Sequence, residues 1–489
     1  MKKLSMILLI AASALVLFGI DAGKCMADPG LNRQPLQTLF FASTESCSLC
    51  HGEVSRTWAD GAHANSQSDV ATELAGSHAG ETPQEVAQSE NCIACHAPTA
   101  VLVNWGMSEA TALDYFFTTA GGKFTADTAP ANSSQWPHIS CKACHNANLV
   151  HLAPQLKLSA FNSSTRRYEN GLNANTLCGQ CHGNLRFTDT DHLLYNGWTM
   201  NKHSKTQQDV ATELVESHAG ETPQEVAQSE NCIACHAPTA VLANGGMSEA
   251  KALSYFFTTQ QGKFTAGTSP QRDSQWPGVG CADCHDPHSA QGPAYFNSAT
   301  KKYESFDNTD KLCGQCHGNL RFPDTDHLSY NIEKGTGGVG VPDQQTMPGI
   351  MCTDCHMYTN KQDGSNSTKY AGHSFAVMIN EADGTTSTSC TNCHATLDAA
   401  ASSKNIDQWK GEFQALDAQA QDLVSKAQAA LNGVSDPNLQ NKLDEAQKNL
   451  SYAESDESGG FHNHKFLMDL LNDAVTRAQE ILKQVGTKS

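Results

Sequence analysis

The chain has 489 residues, enough for about two to four domains, and only 39% of them are hydrophobic, so side chains alone would build a lean core. Its 32 basic residues against 51 acidic ones give a formal net charge of −19, which argues against nucleic acid or an anionic membrane surface as the main partner. The 19 cysteines and 21 histidines, against 6 tryptophans, point to sulfur and imidazole chemistry.

The N-terminus has the pattern of a Sec signal peptide over residues 1–27. Lys2 and Lys3 precede an apolar run over residues 4–20, and a short polar stretch ends at Ala27, where we expect cleavage. Two alternatives stay open: Cys25 carries a lipid as the mature N-terminus, or the apolar run is retained as a membrane anchor. Each of them predicts export, to the periplasm or the cell surface, with membrane contact only through such an anchor.

Nine motifs of the form Cys-x-x-Cys-His follow along the chain, here numbered one to nine in chain order. Their cysteines are Cys47, Cys50, Cys92, Cys95, Cys141, Cys144, Cys178, Cys181, Cys232, Cys235, Cys281, Cys284, Cys313, Cys316, Cys352, Cys355, Cys390 and Cys393. Their histidines are His51, His96, His145, His182, His236, His285, His317, His356 and His394. Two thiols one helical turn apart can form thioethers with two porphyrin vinyl groups, and the adjacent imidazole can bind the iron. We therefore predict nine covalently bound c-type haems, with these histidines as proximal iron ligands.

Three other uses of paired cysteines fit this pattern less well. A disulfide framework in an exported protein does not require a histidine after every second cysteine. Thioredoxin-like redox pairs occur once or twice, at a strand-to-helix turn. Zinc sites group cysteine pairs with one another and do not need a histidine at a fixed position. Because all nine pairs carry the adjacent histidine, the haem interpretation is favoured.

A long internal repeat divides the chain. Residues 69–145 recur as 209–285 at an offset of 140, and residues 161–195 recur as 296–330 at an offset of 135. The predicted divisions are a signal peptide at 1–27, a first haem segment at 28–57, three-haem cassettes at 58–197 and 198–332, a two-haem segment at 333–398 and a C-terminal helical domain at 399–489. A tandem copy of a three-haem cassette is easier to accommodate in a protein that conducts electrons along its haems than in an enzyme with a single shaped active site. In a compact chain of this size, the haems must be close neighbours.

After the ninth motif, apolar residues recur at helical spacing in three stretches, 409–427, 439–453 and 467–485. Gly433 and Pro437 separate the first two stretches, and Gly459 and Gly460 separate the last two. We predict three amphipathic helices that either pack as a bundle on the haem region or form a dimer. Between the motifs, polar residues, glycine and proline interrupt every apolar run. The predicted fold class is therefore mainly α, with short helices and loops packed around haems and a long helical bundle at the end.

The histidines outside the motifs are candidates for the second iron ligand. An iron with two imidazoles can only pass electrons, whereas an open position permits chemistry on small molecules. The two copies supply four matched pairs, and the next segment supplies one more candidate. These are His63, His203, His78, His218, His151, His288, His192, His327 and His373. His138, which Gly278 replaces in the second copy, and His464 are assigned no role.

The first motif resembles the haem-attachment segment of the tetrahaem cytochromes that serve hydroxylamine oxidoreductase. Cys47, Cys50 and His51 are followed by Trp58 and His63. In that family, the spacing from the tryptophan to the histidine places a second iron ligand. The resemblance thus implies that role for His63.

The last 140 residues or so resemble the ammonia-forming pentahaem nitrite reductases. The shared features are the motif that begins at Cys352, the Gly-His pair at His373, the motif that ends at His394, a long helix, and the Ser-Gly-Gly-Phe-His segment that ends at His462. The resemblance implies that His462 is a further candidate for a second iron ligand, and that the C-terminal helices form a dimer interface. These reductases usually have lysine in place of the proximal histidine at the active haem, whereas all nine motifs here end in histidine. We therefore carry over no catalytic residue.

Together these features predict an exported nonahaem cytochrome of the superfamily of these nitrite reductases and hydroxylamine oxidoreductase, an electron carrier rather than an enzyme. One alternative is a reductase of small nitrogen or sulfur oxyanions, in which motif one, eight or nine holds a haem with an open position. Another is a subunit of an extracellular haem filament or of a respiratory complex. Because the chain is acidic, its redox partners are expected to present basic docking surfaces.

Overall fold

The structure is a computed structural model that describes residues 45–48, 51–100, 106–146, 158–188, 190–243, 246–289, 292–323, 325–359, 370–381 and 383–486. The expected signal peptide, Cys25, Cys50 and His151 lie outside these residues. The described part is mainly helical, and its strands form three two-stranded antiparallel sheets. The predicted fold class, mainly α with short helices and a long helical region at the end, is confirmed.

The described parts of the first haem segment and the first copy contain short helices and a hairpin. Their elements are α1 Glu45–Ser48, α2 Gly52–Ala59, α3 Ser66–Gly76, α4 Pro83–Ser89, α5 Cys92–His96, α6 Glu109–Phe116, α7 Cys141–Cys144, β1 Leu158–Asn162, β2 Arg167–Leu172 and α8 Ala174–Cys178. The second copy and two-haem segment contain α9 Leu194–Met200, α10 Thr206–Glu216, α11 Pro223–Ser229, α12 Cys232–His236, α13 Ala240–Ala243, α14 Glu249–Phe256, α15 Cys281–Cys284, β3 Ala294–Asn297, β4 Lys302–Ser305, α16 Thr309–Cys313, α17 Ser329–Glu333, α18 Cys352–His356, β5 Met378–Asn380 and β6 Thr386–Thr388. Short 3-10 turns lie at Ala62–Ala64, Ser133–Gln135, Lys202–Lys205, Asp273–Gln275 and Ser389–Asn392.

Each copy has its own apolar cluster, built from equivalent residues. In the first copy Phe116 packs edge-on against Trp136 with ring centres 5.0 Å apart, and in the second Phe256 packs against Trp276 at the same 5.0 Å. Such a ring pair contributes about 0.5–1.5 kcal/mol beyond the area it buries. The repeat is therefore a repeat of packing as well as of sequence.

The C-terminal region folds as the three predicted helices, α19 Ala399–Ala430, α20 Pro437–Glu454 and α21 His464–Gly486. The side chain of Asp398 caps α19 by accepting a hydrogen bond from the backbone N–H of Ala401. The apolar stripes of the three helices share one core, in which Leu443, Leu467 and Leu471 are fully buried. In the described part of the chain, no helix combines the length and the apolar character needed to cross a membrane.

Candidate functional site

Each motif forms about one helical turn. In six motifs the backbone N–H of the histidine donates to the carbonyl of the first cysteine at 2.8–2.9 Å, namely at His51, His145, His182, His285, His317 and His394. In motifs two, five and eight, the helices α5, α12 and α18 run from the first cysteine to the histidine. Residues three and four apart lie on the same helix face, so both cysteines and the imidazole are on one side of the turn. This is the local geometry that haem attachment requires.

Six of the motif histidines face a second histidine, with ring centres 6.0–6.3 Å apart. The pairs are His182 with His63, His145 with His288, His317 with His203, His236 with His327, His285 with His373, and His356 with His462. Two imidazoles that bind one metal ion, each through a bond of about 2 Å, have ring centres about 6 Å apart. The spacing in all six pairs therefore leaves room for one metal ion between the rings.

Hydrogen bonds fix the orientation of several of these rings. Their Nδ1 atoms lie 2.6–3.3 Å from an oxygen atom: His327 from Glu457, His462 from Asp456, His373 from the carbonyl of Ala371, and His356 from the carbonyl of Phe375. When Nδ1 donates its proton, Nε2 carries the lone pair that binds a metal. Burial lowers the pKa of His182 and His203 to about 4, which keeps these rings neutral and able to bind iron.

Cysteine side chains of different motifs lie near one another. Five pairs are close enough to perturb each other's thiols directly: Cys47 with Cys141, Cys95 with Cys181, Cys178 with Cys281, Cys235 with Cys316, and Cys313 with Cys352. Three further pairs interact through longer-range electrostatics: Cys144 with Cys181, Cys284 with Cys313, and Cys355 with Cys390. These interactions connect motifs one, three, four, six, seven, eight and nine in that order. Motif two meets motif four, and motif five meets motif seven.

Buried cationic groups beside the thiols lack full hydrogen-bond partners. Arg186 donates through Nη1 to the carbonyl of Phe161 at 3.3 Å, and its Nη2 forms an ion pair with Glu169 at 3.6 Å, but Nε and Nη2 are buried without a hydrogen bond. Arg321 stands at the equivalent place in the second copy, and its Nη1 is buried without one. Arg186 acts electrostatically on the Cys95 and Cys181 thiols. An anionic group such as a haem propionate would satisfy these donors, so the residues present fit haem.

Comparison with protein families agrees with this geometry. The family described as cytochrome c554 and c-prime matches residues 46–114 and 177–286, the doubled CXXCH motif matches residues 277–322, and cytochrome c552 matches residues 343–488. The chain is a multihaem c-type cytochrome. Its CXXCH motifs bind haem covalently, with iron at the centre of each porphyrin.

Two solved structures are similar to the cytochrome. The outer cell wall cytochrome OcwA is 19% identical, with a TM-score of 0.39, over 80% of this chain and 70% of that one. The undecaheme cytochrome from the S-layer of Carboxydothermus ferrireducens is 18% identical, with a TM-score of 0.38, over 76% of this chain and 53% of that one. No curated protein sequence matches the cytochrome.

The other predicted second ligands are placed differently. His192 is more than half exposed and lies close enough to His96 and His182 to interact with them electrostatically. His78 and His218 are buried between glutamates, and in the described part of the chain neither ring contacts a motif histidine. His151 lies outside the described residues.

The structure also places the histidine of motif nine and the two histidines, His138 and His464, for which the sequence predicts no role. His394 is exposed and, among the described residues, faces no second imidazole. His138 packs edge-on against Trp58, and His464 stacks on Trp409. Neither His138 nor His464 contacts a motif histidine within the described ranges.

Sequence reasoning missed four residues that position the site. Glu457 contacts His327, 130 residues away, and could not be found from local sequence, whereas Asp456 lies six residues before its partner His462, in a loop with no recognised pattern. Arg186 and Arg321 could have been found, because both belong to an Asn-Leu-Arg-Phe segment that recurs at the same offset as His192 and His327.

Proposed function

We propose that the cytochrome is an exported electron carrier with nine covalent haems. The observation that carries this proposal is the series of neighbouring motif cysteines that runs from motif one to motif nine. Bound haem supplies iron that alternates between two oxidation states and exchanges single electrons with a neighbouring haem. The chain determines which haems are neighbours, so electrons enter or leave at motif one and motif nine. Motifs two and five are side branches of this path.

The imidazole pairs support a specific set of iron ligands. The six facing histidines serve as second ligands for motifs three to eight. His192 serves motif two, because its counterpart His327 faces motif five and because it lies within electrostatic range of His96. His151 follows motif three, whose Cys141 interacts with Cys47 of motif one, and it is assigned to motif one as the remaining candidate. Eight irons then have two imidazoles, and these sites pass electrons without binding substrate.

Mass spectrometry and ferric EPR of the purified protein test this function. The mature chain is expected to begin at Asp28 and to carry nine haems, and at least eight irons are expected to be low-spin. Replacing His373 by alanine removes one facing imidazole and should convert one low-spin iron to high-spin, while His464→Ala, the control, should not change the spectrum. A colourless protein, or an unchanged spectrum for His373→Ala, would refute the proposal.

A second candidate function is the reduction of small nitrogen oxyanions at motif nine. The supporting observation is that His394 is exposed and faces no second imidazole among the described residues. An iron held there by one imidazole could bind nitrite or hydroxylamine. Turnover of either compound with a reduced viologen as donor, lost in Cys390→Ala with Cys393→Ala, is the expected result for a reductase. Equal turnover in this variant and the native protein would exclude motif nine as the catalytic site.

A further inference from the structure

A buried histidine surrounded by glutamates lies close to the fifth motif. The His218 side chain is only 7% exposed, with Nδ1 3.0 Å from a carboxylate oxygen of Glu221 and Nε2 3.2 Å from one of Glu230. Glu213, in α10, is the third member, and one ligand atom from each of Glu213, His218 and Glu230 lies within 4.8 Å of the others. Both carboxylates are exposed, so solvent reaches one side of this cluster.

The two ring nitrogens of His218 have different partners. Nδ1 is hydrogen-bonded to Glu221, and this bond favours the tautomer with the proton on Nδ1. Nε2 is buried but has no hydrogen bond, because its contact with Glu230 lacks hydrogen-bond geometry. Its lone pair then points at carboxylate oxygens, which also carry lone pairs. This arrangement is repulsive unless either a proton on Nε2 or a metal cation lies between these atoms. Although burial lowers the pKa of His218, its contacts with Glu221 and Glu230 raise it overall, so the proton and the metal cation compete for this position.

The first copy repeats the arrangement. His78 is buried, with Nδ1 3.2 Å from Glu81 and Nε2 3.3 Å from Glu90, and this Nε2 also lacks a hydrogen bond. Glu73 occupies the sequence position equivalent to Glu213, but its carboxylate does not lie within 4.8 Å of both other ligand atoms, so it would have to turn toward them to complete the site. In both copies, therefore, the same imidazole nitrogen lies beside an equivalent glutamate, Glu90 or Glu230, without forming a hydrogen bond.

We propose that Glu213, His218 and Glu230 bind a divalent transition-metal ion of the Zn²⁺ type, and that Glu73, His78 and Glu90 bind a second one. One imidazole nitrogen and two carboxylates are suitable ligands for such an ion, with water in the remaining positions. A histidine that binds a metal through one nitrogen commonly donates a hydrogen bond to a carboxylate through the other. Glu221 and Glu81 fill that supporting role.

The site is in contact with a haem-attachment residue. Glu230 has one carboxylate oxygen facing His218 and the other 3.8 Å from the Cys232 thiol of motif five. In the first copy Glu90 is 3.9 Å from the Cys92 thiol of motif two. A divalent ion neutralises these carboxylates and adds positive charge, so its binding should raise the reduction potential of the haems at motifs two and five.

Zn²⁺ binding by the chelator-washed holoprotein tests the proposal. Elemental analysis after removal of unbound ion should find two Zn²⁺ per chain in the native protein, one in His218→Gln or in His78→Gln, and none in the double variant. Glu221→Ala should weaken one site by about 10–100-fold in titration calorimetry. The control is His138→Gly, which introduces the residue found at the equivalent position of the second copy and should keep both ions.

Three outcomes would overturn the proposal. The first is a native protein that binds no Zn²⁺, which would mean that the two histidines are protonated partners of the glutamates. The second is equal Zn²⁺ binding by the double variant and the native protein. The third is loss of a low-spin iron signal in His218→Gln or His78→Gln, which would make these residues iron ligands. Glu213→Gln, at an exposed position, provides the same test if the histidine variants do not fold. Haem content, measured on the same samples, distinguishes these results from a failure of the proposed electron-transfer function.

Discussion

Asp456 holds His462 against motif eight, and its replacement by alanine should affect both stability and spectrum. The Asp456 side chain is 0% exposed and accepts hydrogen bonds from His462 Nδ1 at 2.8 Å, from the Gly460 N–H at 2.8 Å and from the Ser458 hydroxyl at 2.5 Å. A buried donor that loses its acceptor costs about 1–3 kcal/mol, and the Ser458 hydroxyl can rotate to another acceptor. We therefore expect Asp456→Ala to lower the free energy of unfolding by about 3 kcal/mol.

The same substitution frees the His462 ring, and loss of such a supporting carboxylate typically weakens metal binding by about 10–100-fold. Urea unfolding of the holoprotein measures the stability change, and ferric EPR measures conversion of one low-spin iron. Asp469→Ala is the matched control, because Asp469 forms an exposed ion pair with Lys465 and should contribute less than about 1 kcal/mol. If Asp456→Ala behaves like the control in both measurements, Asp456 does not position His462.

Three further predictions concern the bundle, the pH response and the last motif. Leu471→Ala, at a fully buried position, should lower the urea-unfolding free energy by about 2–5 kcal/mol, whereas Val434→Ala, at an exposed position, should change it little. Burial raises the pKa of Glu249 from 4.5 to about 7, so the folded chain holds this proton more tightly and stability should fall as the pH rises between these values. In Glu249→Gln, the free energy of unfolding should fall less steeply as the pH rises across this range. An unchanged dependence on pH would show that Glu249 does not contribute to it. Cys390→Ala with Cys393→Ala should reduce iron by one atom per chain in elemental analysis, and undiminished iron would contradict haem attachment at motif nine.

The features that the sequence predicted correctly depend on short-range pattern. The three C-terminal helices follow from an apolar stripe that recurs every three or four residues, and their ends coincide with proline and glycine signals. The motif turns follow from spacing within five residues. The hairpin β1–β2 was missed, because strands this short carry little alternation.

The pairing of histidines could not be predicted, because it depends on tertiary packing. His203 and His317 are separated by motifs five and six, and only the folded chain brings their rings together. Recurrence in both copies made His78 and His218 candidate iron ligands, as it did His63 and His203. Recurrence alone does not distinguish an iron ligand from a histidine that is buried for another reason. The partners of His78 and His218, the surrounding glutamates, became visible only in the structure.

The direction of the contacts between repeats has a consequence for how such a chain can change in length. His288 of the second copy faces motif three of the first, and His373 of the next segment faces motif six of the second. The second copy and the segment after it thus each supply a ring to the unit that precedes them. Deletion of one whole unit would bring His373 to motif three and leave every remaining pair intact, whereas a cut within a unit would break pairs on both sides. Such a chain can therefore gain or lose whole three-haem units, and so change the number of haems in line, without changes to the residues at the contacts between units.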